Sequence, residues 1–354
     1  MQLTTTQADV LKPKPADDNK LGFGTIFTDY MFNMDYEAGK GWYNPRIEPY
    51  QPIVMDPATT VLHYSQEVFE GLKAYQTPSG DVQLFRPRAN LERMNRSCRR
   101  MCIPEIDVAF VLDAMKALLR LEKSWVPSAP GTSLYIRPNV IAMDPYIGIR
   151  VGKTYRFYII LSPVGAYYPE GFNPVKILVT RDYVRAVPGG VGEAKTAGNY
   201  AASLIGSEKA HEEGYTQVLW LDGVERKYIE EVGTMNIFFV IDGELITPQL
   251  NGSILPGITR DSVLKLSKSW GVKTTERRIS IDEVMAAHDA GKLQEIFGSG
   301  TAAVISPVGN LKYGDRVITL GDGSVGPMAQ RLFDTLTTIQ YGTAADTMGW
   351  IESI

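Results

Sequence analysis

Gly189-Gly-Val-Gly-Glu-Ala-Lys-Thr-Ala-Gly-Asn-Tyr200 is a glycine-rich approach to a single lysine, Lys195, with a tyrosine five residues later. A lysine that opens a helix after a flexible turn is held near backbone dipoles and partly out of water, which destabilises its ammonium form. A Schiff-base lysine needs this, because only the free amine attacks a carbonyl. Two other readings fit the same run. Most lysines in glycine-rich loops are simply solvated. The spacing of Gly189 and Lys195-Thr196 also approaches the phosphate-binding pattern G-x-x-x-x-G-K-[ST], but Ala194 stands at its second glycine and Asp182 to Pro188 separate the loop from the preceding apolar run.

The bulk properties suit an enzyme of small molecules. The chain has 354 residues, enough for two domains with sizeable cores, and is 44% hydrophobic and 21% charged with a net charge of −4. That balance favours neither nucleic acid nor an anionic membrane as partner. No apolar stretch reaches a spanning length, and the first twenty residues, with Asp9, Asp17 and Asp18 and no arginine, resemble neither a secretory signal nor a transit peptide, so a cytoplasmic protein is expected. The two cysteines, Cys98 and Cys102, fall four apart in an expected helix and so on one face, as reduced thiols in or near a core. The three histidines, His63, His211 and His288, form no paired motif, so no metal site is expected and Ser-His-Asp chemistry is disfavoured.

Residues 1–20 are polar and read as a loose arm. A mixed α/β domain is expected over 21–165, with a strand at Val82–Phe85, helices at Asn90–Met101 and Val108–Leu121, and buried strands at Ser133–Ile141 and Tyr155–Leu161. The turn-rich Gly165-Ala-Tyr-Tyr-Pro-Glu-Gly-Phe-Asn-Pro174 begins a linker over 166–184. A second domain over 185–354 then holds the lysine loop and a helix near Tyr200–Glu213. Hairpins follow about Asp222-Gly223 and Asp242-Gly243, then helices near Thr259–Trp270, Ile281–Ala290 and Pro327–Ile339, and a tail from Tyr341.

Other segments carry atoms suited to a phosphorylated pyridine aldehyde. Glu231 stands where a polar turn meets the apolar run Ile237–Val240, and a carboxylate there pairs with a protonated ring nitrogen; alone it is more commonly a strand-end charge. Leu255-Pro-Gly-Ile-Thr-Arg260 precedes a helix, which puts the N–H groups of Ile258 and Thr259 at its positive end, although Thr259 as a simple cap is the commoner use. Gly298-Ser-Gly-Thr-Ala302 offers a second loop for an anion. Arg93 is one of several arginines on its helix and supplies either a bidentate cation or a solvated face. Arg137, inside the apolar run Leu134-Tyr-Ile-Arg-Pro138, requires an answering anion, internal or bound.

Together these segments resemble the branched-chain amino acid aminotransferases, class IV (fold type IV) pyridoxal-phosphate enzymes, over roughly residues 23 to 342. The marks are Tyr64 with Phe69-Glu-Gly-Leu-Lys-Ala74, Phe85-Arg-Pro, Arg93, Tyr135-Ile-Arg137-Pro, Pro163-Val-Gly-Ala-Tyr167, Lys195 with Gly198-Asn-Tyr200, Glu231-Val-Gly-Thr-Met-Asn236, Leu255-Pro-Gly-Ile-Thr-Arg260 and Phe297-Gly-Ser-Gly-Thr-Ala302, in that order. The resemblance implies a two-domain α/β fold, with a small N-terminal domain and a larger C-terminal pseudo-barrel domain, and a homodimer in which Ile147 and Ile149 reach the partner's pocket. It implies pyridoxal 5'-phosphate as cofactor and Lys195 as the residue that forms the aldimine and moves the proton. Tyr200 is implied for the phenolic oxygen, Glu231 for the ring nitrogen, and Arg93, Ile258, Thr259 and Thr301, with Arg185 as neighbour, for the phosphate. Substrate carboxylates are implied at Tyr64, Arg137 and the backbone near Thr234 and Ala303, and side-chain walls at Phe69, Tyr135 and Tyr167. Some relatives carry a Cys-x-x-Cys pair where this chain reads Ala303-Val-Ile-Ser306, so no redox switch is implied there.

The function so implied is a ping-pong transamination between leucine, isoleucine or valine and 2-oxoglutarate, with glutamate as the product amino acid. Two other class IV activities, D-amino acid transamination and aminodeoxychorismate cleavage, share Lys195 and Glu231. The Tyr135-Ile-Arg137 and Phe69-Glu-Gly-Leu-Lys73 segments decide against them. A rival of another class is a nucleotide-binding switch built on Gly189–Thr196, which would be colourless where an aldimine absorbs visible light.

Overall fold

Alternation along Ser133–Ala142 organises the first part of the chain. Leu134, Ile136, Val140 and Ala142 face a core shared with the helices Pro87–Arg100 and Val108–Leu121, while Tyr135, Arg137 and Asn139 fall on the opposite sheet face. The computed structural model describes residues 1–165 and 172–354. These form two compact units. One takes residues up to 165, Ala194–Ala197 and Thr338–Ile354; the other takes residues 172 to Glu193 and Gly198–Thr337.

The first unit is a nine-stranded sheet in the order Thr4–Thr5, Gly41–Pro49, Tyr30–Glu37, Thr154–Val164, Ser133–Ala142, Leu72–Gln76, Val82–Phe85 and Ile351–Ser353, with Glu67–Phe69 also paired to Ser133–Ala142. Val108–Leu121 forms as its sequence predicts. Asp107 caps it by accepting the Phe110 N–H at 3.1 Å, and Val111, Leu112, Met115, Leu118 and Leu119 make a buried stripe. Pro87–Arg100 starts earlier than expected because proline is well suited to a helix's first position, and it ends before Cys102. Cys98 is therefore buried, whereas Cys102 is exposed in a left-handed turn and does not share its face.

Both ends of the chain depart from the expected reading. The arm is not loose: Thr4–Thr5 pairs parallel with Gly41–Pro49, the Lys12 N–H donates to Asp29 Oδ1 at 2.6 Å, and Lys12 Nζ donates to the Thr28 carbonyl at 2.7 Å. The tail is not free either, because Ile351–Ser353 lies antiparallel on Val82–Phe85 and the Trp350 ring packs edge-on to Phe85 at 5.5 Å. These contacts place residues expected with 185–354 in the first unit.

The second unit closes on itself. Ile229–Val232, Gln217–Leu221, Val175–Val179, Val304–Tyr313, Leu293–Gly300 and Met235–Ile241 pair in succession, and Met235–Ile241 returns to Ile229–Val232, so the strands form the expected pseudo-barrel. Trp220, Phe238, Phe239 and Phe297 are fully buried there. The Asp242-Gly243 hairpin forms with both residues at positive φ, as its sequence predicts. The Asp222-Gly223 turn does not stay tight. Asp222 accepts the N–H groups of Val224, Glu225, Lys227 and Tyr228, holding residues 222–228 as a loop, so the return strand begins only at Ile229. Among the described residues no helix is long and apolar enough to cross a membrane.

Next to the arm, Glu122 is buried with its Oε1 accepting the Tyr30 N–H at 2.5 Å, and Asp29 accepts Trp125 Nε1–H at 2.7 Å. Burial pushes the Glu122 carboxyl up to about 7, and the neighbouring Asp29 charge adds to this. Above the ordinary carboxyl value of ~4.3 and below about 7, the native chain holds a proton that the unfolded chain releases. The stability from this proton is present at acid pH and lost as pH rises through that window, on the order of 1–3 kcal/mol. Glu122→Gln is therefore expected to flatten the fall of the thermal midpoint between pH 5 and 8. Parallel pH profiles for the two proteins would show that Glu122 does not titrate there.

Candidate active site

The polar face of the first-unit sheet gathers several of the expected residues. Phe69 lies opposite Asn139, Lys73 opposite Tyr135, and Asn139 opposite Tyr158. The Arg137 guanidinium sits 4.7 Å from the Phe69 ring centroid and 5.3 Å from that of Tyr135, and its Nη2 donates to the Tyr135 hydroxyl at 3.0 Å. Gly71 makes room for this arrangement, since a Cβ there would overlap the Tyr135 hydroxyl. Burial lowers Lys73 to about 8 and raises Tyr158 to about 12; the Glu67 charge adds to the Tyr158 shift. Tyr64 closes the short helix Thr60–Tyr64 and is partly exposed.

Lys195 lies two residues before the helix Ala197–Glu212, on a segment fastened to this face. Its carbonyl accepts the Phe69 N–H at 3.0 Å, its N–H donates to Ser97 Oγ at 2.9 Å, and its Nζ stands 4.7 Å from the centre of the Phe69 ring. Amine and guanidinium thus share one aromatic ring. Arg93 is paired where the sequence offered no partner: its Nε and Nη2 donate to the two oxygens of Glu70 at 2.8 and 2.9 Å, with Glu70 wholly buried.

In the second unit Glu231 and Asn236 face each other across the hairpin and fix Leu255 from both sides. Glu231 Oε1 accepts the Leu255 N–H at 2.8 Å, and Asn236 Nδ2 donates to its carbonyl at 2.9 Å. This sets the loop ahead of the helix Ile258–Ser269, whose cap is Gly257 rather than Thr259 and supplies no side-chain hydrogen bond. A Cβ at Gly257 would overlap Asn236 Oδ1. Arg185, expected near a phosphate, is placed with its Nε 3.3 Å from Glu231 Oε2, and its Nη2 donates to the Ser253 carbonyl. Thr301 and Ala303 are half-buried beside the strand Leu293–Gly300, on which Ser299 Oγ is buried without a hydrogen-bond partner among the described residues. Tyr200 is half-buried on its helix and Thr234 is exposed at the hairpin tip. Ile147 and Ile149 are 69% and 91% exposed. Tyr167 lies outside the described residues.

Four contributors have no role assigned from the sequence: Glu67, Glu70, Asn139 and Phe23, which packs edge-on to Tyr135 at 5.1 Å. Glu70 follows Phe69 directly, and a carboxylate beside an apolar run that also holds a lysine was the available hint. Among the described residues no cluster could hold a metal ion.

The amino-transferase class IV family matches residues 67–311, and the chain belongs to it. It is 57% identical over 354 residues to "Branched-chain-amino-acid aminotransferase 2" of Bacillus subtilis (strain 168), covering 100% of this chain and 96% of that protein. The crystal structure of the Escherichia coli branched-chain amino acid aminotransferase aligns with a TM-score of 0.77 at 28% identity, covering 92% of this chain and 98% of that one. The branched-chain amino acid aminotransferase of T.th. with pyridoxamine 5'-phosphate aligns at 0.73 and 26% identity, covering 90% and 97%.

Breaking the Arg93–Glu70 pair leaves a buried carboxylate without its cation. Arg93→Ala is therefore expected to lose about 3–5 kcal/mol of stability in protein freed of small molecules, whereas Arg93→Met combined with Glu70→Gln should recover most of it. Urea unfolding of the three proteins measures this, and an unchanged midpoint in Arg93→Ala would remove the pair from the fold's support.

Proposed function

We propose that this class IV aminotransferase moves amino groups between leucine, isoleucine or valine and 2-oxoglutarate, with pyridoxal 5'-phosphate as the carrier and the two amino acids using one site in turn. The observation that carries the reading is the Phe69 ring with Lys195 Nζ and the Arg137 guanidinium each 4.7 Å from its centre. It sets a nucleophilic amine and a carboxylate-binding cation on one apolar wall.

The residues present suit the cofactor. Ser299 Oγ is a buried hydroxyl without a protein partner among the described residues, and the helix at Ile258 begins on a glycine cap, so a phosphate would find donors at both. Arg93, the N–H groups of Ile258 and Thr259, and Thr301 would hold that phosphate, and Tyr200 the phenolic oxygen. Glu231 would hold the ring N–H, with Arg185 facing the same carboxylate and acting through it. Bound pyridoxal phosphate supplies an aldehyde for the substrate amine and a ring that spreads negative charge from Cα. Lys195 Nζ would be the base that takes the proton from the substrate Cα and the acid that delivers it to the cofactor's C4′ carbon. Phe69 and Tyr135 offer an apolar surface to branched side chains, Tyr64 closes the edge, and the backbone near Thr234 and Ala303 would receive the α-carboxylate. Arg137 would meet the second carboxylate of glutamate.

The reading extends to a homodimer in the cytoplasm, in which the exposed Ile147 and Ile149 face a partner's pocket. Small-molecule amino and 2-oxo acids are its only reactants.

Lys195→Ala is expected to abolish multiple turnover with leucine and 2-oxoglutarate, because the variant lacks the amine assigned to carry the proton. Substantial turnover in that variant would sink the reading. Arg137→Met should slow the half-reaction with glutamate roughly ten- to hundredfold more than that with leucine, the expected loss of a charged hydrogen bond worth about 1.5–3 kcal/mol. Stopped-flow rates for each donor measure it, and equal losses would assign Arg137 to the shared α-carboxylate or to the scaffold.

A further inference from the structure

Glu67 is a buried carboxylate to which the reading above gives no task. It lies opposite Ile141, so its side chain falls on the sheet face that carries Phe69, Arg137 and Asn139. Two of its acceptors hold the lysine segment. The Glu67 carbonyl accepts Thr196 Oγ1–H at 2.8 Å, and its Oε1 accepts the Ala197 N–H at 2.5 Å. With Phe69 N–H on the Lys195 carbonyl and Ser97 Oγ on the Lys195 N–H, residues 195–197 are tied at no fewer than four points. Glu67 supplies two of these ties, and its carboxylate is the only charged group among them.

A carboxylate in this position is costly unless it is hydrogen-bonded and faced by cations. Burial raises the Glu67 carboxyl, and the Ala197 N–H, the Asn139 amide and the charges of Arg137 and Lys195 work against that rise. Arg137 thus lies within the field of an internal carboxylate. A serine or alanine at this position could not reach Ala197, and the segment would then hang on its remaining ties.

We propose that Glu67 is a positioning residue for the transamination. Its carboxylate fixes the backbone at Ala197, and so the line along which Lys195 Nζ approaches the substrate Cα. The proposal rests on the transaminase reading for its kinetic consequence but not for its structural one.

Glu67→Gln keeps an acceptor at the same reach, and Glu67→Asp keeps the charge but withdraws it by one methylene. Amide hydrogen exchange over residues 193–199 is read in the full chain with and without pyridoxal phosphate, beside steady-state kinetics with leucine and 2-oxoglutarate. In Glu67→Asp, exchange in this segment should accelerate at least tenfold without cofactor, and kcat should fall roughly tenfold with KM for leucine changed less than about twofold. Glu67→Gln should hold exchange near the native rate and keep kcat within about threefold. Native exchange in Glu67→Asp would overturn the proposal, as would a Glu67→Gln protein as impaired as Glu67→Asp. A wild-type chain that fails to transaminate would overturn the functional reading alone, because exchange in the cofactor-free chain still judges the role of Glu67.

Discussion

The hold of one β-edge on the backbone around Lys195 is the constraint on which the site depends. Phe69 N–H takes the Lys195 carbonyl, and Glu67 takes Thr196 and Ala197. A lysine side chain has four rotatable carbons and loses much freedom when it must point one way. Anchoring its backbone on a sheet removes most of the uncertainty before the side chain is placed. The sheet itself is rigid because its other face is packed with Leu134, Ile136, Val140, Phe157 and Ile159 against two helices. Packing on one face thus sets the precision of chemistry on the other.

Each unit also holds charges that would be unfavourable alone. In the first, Arg93 is forked onto Glu70, and Arg137 lies on two aromatic rings within the field of Glu67; in the second, Arg185 meets Glu231. Buried pairs of this kind add little net stability over apolar packing, but losing one member is severe. What they provide is orientation. A forked guanidinium has a fixed plane, and a carboxylate with a cation on one oxygen and a backbone N–H on the other, as in Glu231, has a fixed direction. Binding groups held in this way lose little further freedom when a reactant arrives.

Elements with local causes were legible in the sequence. Val108–Leu121 has its cap and stripe within fifteen residues, and the Asp242-Gly243 hairpin has its turn chemistry in two. Lys195, Glu231 and Arg137 stand out in the sequence because each breaks a local pattern: an amine after glycines, and charges against apolar strands. What was missed depends on partners far away in the chain. Ile351–Ser353 becomes a strand only because Val82–Phe85 offers an edge, and Lys12 holds the arm only because Asp29 waits for it. The Asp222 turn looked like a tight hairpin because its dipeptide allows one, but the carboxylate captured four N–H groups and widened it. Glu67 gave no sign of itself, since its bonds to Thr196 and Ala197 cross about 130 residues.

Branched-chain amino acids and 2-oxoglutarate are proposed to use one site in alternation. The decisive experiment is rapid mixing of the purified enzyme, loaded with pyridoxal phosphate, with L-leucine alone. The visible absorbance of the bound cofactor should fall in a single turnover without any acceptor, and 2-oxoglutarate added afterwards should restore it with one equivalent of glutamate formed. A spectrum that stays unchanged with L-leucine until 2-oxoglutarate is also present, or that responds to D-leucine instead, would contradict the account.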